Sequence, residues 1–242
     1  MPRFKLRFMP RSRQKKPVSF LSGLLLALAV GWACIAPAFS AADHYLCDEP
    51  RQLQMLLSQR WFDYEFPVRV YIPPVPYEVK QPEIYIPLVK TAFSSWSRLA
   101  PFATFTYVDT AKKANIVIEW KSDFKNEGAW GMAHYPILYQ SKNKILRHRS
   151  TIYLAVRAQI GSGMSVSEPV LFSYDELLSI AKHEVGHALG LNHSKTQGDV
   201  MCGGCWGYTG NMIRDITNHD IQTLKALYAL PLNTKKSPCK SQ

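Results

Sequence analysis

Apolar residues at Tyr85, Val89, Ala92, Phe93, Trp96 and Leu99 recur every three or four positions, the spacing that gathers side chains on one face of a helix. An amphipathic helix is predicted there. Elsewhere the apolar residues alternate or run together. Residues 68–72, 104–108, 116–120 and 151–156 are rich in β-branched and aromatic types, are bounded by polar, Gly or Pro residues, and each predicts a strand. Ser173 with Glu176, and Thr217 with Asp220, set a hydroxyl three residues before an acid, the pairing that caps the free N–H groups at a helix start. They predict one helix from Tyr174 to Leu189 and a second ending near Leu230-Pro231. Asp48-Glu49-Pro50 reads as the start of a short helical stretch through Leu57. The Trp and Phe residues within these elements read as core.

A different pattern holds at the amino terminus. Residues 18–35 are apolar and uncharged, and the small residues of Ala36-Pro37-Ala38 and Phe39-Ser40-Ala41-Ala42 follow. Residues 1–42 therefore read as a signal peptide. Left uncleaved, a run of about 18 apolar residues is also long enough to anchor the chain in a bilayer. The formal net charge of the 242-residue chain is +11, but residues 1–16 alone hold seven Lys or Arg and no acid, leaving +4 for the rest. That placement fits export and argues against nucleic-acid binding. With 47% hydrophobic residues, no internal repeat and no linker, residues 43–242 read as one mixed α/β (α+β) domain. The expected location is secreted or periplasmic, or membrane-anchored through the N-terminal segment, and a monomer is expected.

The candidate chemistry lies late in the chain, in His183-Glu184-Val185-Gly186-His187-Ala188-Leu189-Gly190-Leu191-Asn192-His193. His183 and His187 are i and i+4, so a helix projects both imidazoles from one face. His193 is six residues further on, where a continuing helix would carry it around the axis and away from the other two. The helix must stop first, and Gly190 is placed to stop it, because glycine takes the left-handed conformation without a Cβ penalty. Three imidazoles on one ion leave a position for water, the open arrangement of a catalytic zinc. Glu184 stands beside them as a candidate general base.

This motif, followed by Met201, resembles the metzincin zinc metallopeptidases, and the matrixin (matrix metalloproteinase-like) branch in particular. Ser194 after the third histidine and the segment from Ile216 to Tyr228 agree with that branch. So, in order, do Arg60-Trp61, Val68-Arg69-Val70-Tyr71-Ile72, Ala92-Phe93-Ser94-Ser95-Trp96, Ala114-Asn115-Ile116-Val117-Ile118 and Ala133-His134. The resemblance implies a twisted mixed sheet with an active-site helix beneath it, a C-terminal helix, and an edge strand at the cleft between Gly128 and Tyr139. It implies that Met201 forms an apolar base below the imidazoles, that Asp220 braces this turn, and that Trp206 and Tyr208 wall a pocket for a substrate side chain. The implied activity is peptide-bond hydrolysis on a protein or peptide substrate, with one zinc ion. The branch's long loop of Asp, Gly and His ligands is missing between Trp120 and Tyr135, so His134 and His148 are not expected to bind metal and calcium dependence stays open. His44 and His219 read as solvated.

Cys47, Cys202, Cys205 and Cys239 remain once Cys34 leaves with the signal peptide, an even set that permits three pairings in an oxidising compartment. The first choice is Cys202 with Cys205 and Cys47 with Cys239. A redox or metal role for Cys202-Gly203-Gly204-Cys205 is the rival. The leading function is an exported zinc endopeptidase. The alternative is a non-catalytic zinc-binding peptide-recognition or cell-envelope module on the same fold.

Overall fold

Helix α1 (Tyr85–Leu99) follows the short 3-10 turn Pro82–Ile84 and buries Tyr85, Leu88, Val89, Ala92, Phe93 and Trp96, the face that the spacing predicts. Leu99, in its last turn, is instead exposed. The computed structural model describes residues 44–48, 58–125, 129–141, 143–158, 169–205 and 213–232, with the backbone at 161–162 and 165–166. All lie in one compact unit, Phe39–Gln242. The helix predicted after Asp48 lies outside the described residues.

The main sheet contains β1 (Val68–Tyr71), β2 (Phe105–Tyr107), β3 (Ile116–Lys121), β4 (Gly131–Ala133), β5 (Ile137–Gln140) and β6 (Leu146–Ala155). Its order is β2-β1-β3-β6-β4, with β5 also paired to β6. The first four strands of that order are parallel, whereas β4 and β5 run antiparallel to β6. Beyond it, β7 (Arg157–Ala158) pairs with β10 (Val170–Leu171), and β8 (Gly161–Ser162) pairs with β9 (Ser165–Val166).

Period-two alternation gives the sheet its two faces. Val68, Val70, Ile116, Ile118, Trp120, Ile152 and Leu154 point inward and are buried, while Arg69, Tyr71, Glu119, Lys121 and Tyr153 face outward. Helices α1 and α2 (Tyr174–Ala188) complete the core on the inner side, and Trp96 Nε1 of α1 donates to the Lys182 carbonyl of α2 at 2.9 Å. Helix α3 (Asn218–Ala229) adds Ile221 and Leu224 to the same core.

Strand β6 starts at Leu146, five residues before the predicted start at Thr151. Its first half contains Arg147, His148, Arg149 and Ser150, which conceal a strand in the sequence. His148 and Ser150 are nevertheless buried. The cost of burying His148 is met by Glu65, whose carboxylate lies 2.6 Å from both the His148 backbone N and Nδ1. The expected cleft edge is divided in two. Gly131, Met132 and Ala133 pair with Leu154, Tyr153 and Ile152, whereas Ile137 to Gln140 pair with Arg149 to Leu146. One extra residue has entered the edge between them, a β-bulge, so odd-numbered residues face inward in β4 and outward in β5.

Candidate functional site

Helix α2 begins as its capping box requires. Ser173 Oγ accepts from Glu176 N at 3.3 Å, and the Glu176 carboxylate accepts from Ser173 N at 2.8 Å. The helix ends after Ala188, Gly190 takes φ +99°, and Leu191 N donates to the Gly186 carbonyl. This turn brings His193 back to the helix. Nε2 of His187 lies 3.1 Å from Nε2 of both His183 and His193.

The three rings fit a nitrogen-preferring divalent ion. Nδ1 of His183 donates to the Val200 carbonyl at 2.6 Å and Nδ1 of His187 to the Leu191 carbonyl at 2.8 Å. With the ring protons committed there, the Nε2 lone pairs converge on one another. Burial pushes the pKa of His183 down to about 4, outweighing the hydrogen bond to Val200, and the neighbouring His193 and Arg214 charges add smaller effects in the same direction as burial. Burial and the other two imidazoles hold His187 well below the usual histidine range. Both are therefore neutral, the form that binds metal. Among the described residues this is the one cluster of three metal-ligating groups.

Glu184 is buried beside the cluster, and burial pushes its pKa up to about 8 despite a hydrogen bond from the Ala133 backbone. Its Oε2 is buried without a hydrogen-bond partner. Gly131 makes room for this carboxylate, since a Cβ there would lie 2.6 Å from Glu184 Oε1. Gly203 does the same for the third histidine, where a Cβ would lie 2.5 Å from Cγ of His193. Both glycines border a cleft of about 400 Å³ that also contains Trp130, Tyr135 and Ile180. Neither glycine declares itself in the sequence, because their partners are 53 and 10 positions away.

Below the rings, fully buried Met201 packs its sulfur against Gly186, where no Cβ intervenes. Asp220 braces this turn by accepting from Val200 N at 3.0 Å and Met201 N at 3.4 Å. Asp199, also unnoticed in the sequence, is buried and accepts from Ser194 Oγ at 2.5 Å and Thr217 Oγ1 at 2.6 Å. His219, expected to be solvated, instead has Nδ1 2.7 Å from Asp199 and its ring edge-on to Tyr45. Ser194 follows one ligand, and Val200 supports another. Asp199 thus ties two of the three imidazoles to α3.

Cys202 and Cys205 form a disulfide, as in the preferred pairing. Cys47 is also disulfide-bonded. Cys239, and with it the Cys47–Cys239 pairing, lies outside the described residues, as do Trp206 and Tyr208. His134 stacks edge-on against Tyr153 on the outer sheet face.

Compared with known protein families, residues 76–229 match the family model of the matrixins, well over half of the chain. No curated protein matches it.

Proposed function

The chain belongs to the matrixin family of zinc metallopeptidases, and from this membership we propose that it is an exported endopeptidase in which Glu184 is the general base. His183, His187 and His193 would hold the ion. When bound, zinc supplies a Lewis acid that acidifies water and polarises a peptide carbonyl. The observation that carries the assignment of Glu184 is its unpartnered buried Oε2 beside three convergent Nε2 atoms. A dication held by the three imidazoles would offset the burial that raises the Glu184 pKa and favour its ionised form, and a carboxylate so placed accepts a proton from water and returns it to the leaving amine.

Strand β4 supports the peptide. Trp130 and His134 direct their backbone groups to β6, through Ala155 N to Trp130 O at 3.0 Å and His134 N to Thr151 O at 2.9 Å. By alternation Gly131 and Ala133 turn theirs away from β6. An extended substrate adds to that edge as a further strand. A module that only bound peptides would need no base, and the buried Glu184 weighs against it.

Glu184→Ala is expected to lose about 10²- to 10⁴-fold in kcat/KM on a peptide library while keeping one zinc ion and cooperative unfolding. A chelator should likewise abolish wild-type cleavage. Turnover near the wild-type level in either experiment overturns the mechanism.

A further inference from the structure

The β5–β6 hairpin projects beyond the core. Ile137, Leu138, Ile145, Leu146 and the adjoining Tyr64 are each 43–60% exposed. Tyr64 is fixed to the hairpin by its hydroxyl, which donates to the Leu146 carbonyl at 2.6 Å. The turn is closed by Ser141 N donating to Ile145 O at 2.8 Å, with Lys144 in the left-handed region at φ +61°. Single exposed apolar residues are ordinary on a protein surface, but four on one hairpin with Tyr64 fixed beside them mark a contact surface.

Charge identifies what that surface contacts. From Gly128 to Ser167 the sequence contains no Asp or Glu and carries Lys142, Lys144, Arg147, Arg149 and Arg157. Lys144 and Arg149 are exposed, and Arg149 stacks its guanidinium over Tyr139 at 4.4 Å. Of the two acids flanking Tyr64, Glu65 is buried against His148 and Asp63 is exposed.

We propose that the β5–β6 hairpin docks on an anionic phospholipid bilayer, with Ile145, Leu146 and Leu138 entering the interface and Lys144 and Arg149 meeting the headgroups. The two properties act together, as apolar burial and attraction to anionic lipid do for other interfacial segments. A second copy of the chain would set like charges against each other. A nucleic acid would use the cations and aromatic rings but leave the aliphatic side chains without a role. Because β5 continues from β4, docking presents the cleft to proteins held at that surface, roughly 25 Å along the strand from the hairpin tip. Only this last consequence rests on the peptidase reading.

The test uses the full-length, zinc-loaded chain with Ile145→Trp. Its fluorescence gain over the parent protein reports the hairpin and not the apolar amino-terminal segment. Brominated phosphatidylglycerol vesicles are expected to quench and blue-shift the added indole, and phosphatidylcholine vesicles to have little effect. Adding Lys144→Glu and Arg149→Glu should weaken partitioning by about tenfold or more. If that double reversal unfolds the domain, screening by 1 M salt in the Ile145→Trp protein provides the same readout. An indole that stays in water with both lipids, or responds equally to both, overturns the proposal. So does a shift that needs no vesicles and grows with protein concentration, which would make the surface a self-contact.

Discussion

Single residues here are legible in proportion to how near their partners lie in the chain. His183, Glu184 and His187 declare themselves through a four-residue spacing, and Gly190 with His193 through the turn they require. Glu65 and His148 are 83 positions apart, and nothing local announces their buried pair. The pair has a measurable pH signature. Burial alone would raise the Glu65 pKa, but the His148 ring and the backbone N–H groups of Phe62 and His148 outweigh it, leaving the pKa below its ordinary 4.5. A depressed carboxyl pKa contributes stability above the unfolded value, and that stability is lost as pH falls through the folded one. Glu65→Gln is therefore expected to destabilise by about 3 kcal/mol near neutrality. The gap from wild type should narrow below pH ~4.5, as denaturant unfolding across the acid range will show. A gap independent of pH would remove the charge from the account.

Among the elements, the sequence revealed α1, α2 and α3 because capping boxes and apolar spacing are local signals. Strand β6 is only half visible, because the two buried residues of its polar half, His148 and Ser150, find their partners, Glu65 and His134, elsewhere in the chain. The family resemblance locates the edge strand, but a register slip leaves no local signal to read. Its fit against the Glu184 carboxylate, the proposed general base, gives a prediction. Gly131→Ala directs a methyl at Glu184 Oε1, so either the carboxylate or the strand must move. We expect kcat to fall tenfold or more with little change in thermal midpoint, since a displacement near 1 Å costs about that much or more in a catalytic group. Unchanged kcat would mean that the edge yields without disturbing the base.

For the whole molecule, charge is the property most easily misread from a total. The excess of +11 is concentrated in the first 16 residues, and the remainder carries +4. If residues 1–42 direct export, the recovered protein should begin near Ala42 or Asp43, and amino-terminal sequencing with cell fractionation will check it. An intact start in the membrane fraction would indicate an anchor, and a cytosolic protein would refute export. The bulge between β4 and β5 acts on this scale as well. An open sheet edge is also a template for other copies of the same chain. After three residues of β4 the hydrogen-bonding row falls out of phase, so a second chain laid along it cannot zip onward. The same irregularity that would limit the grip on a peptide thus works against the seeding of fibrils.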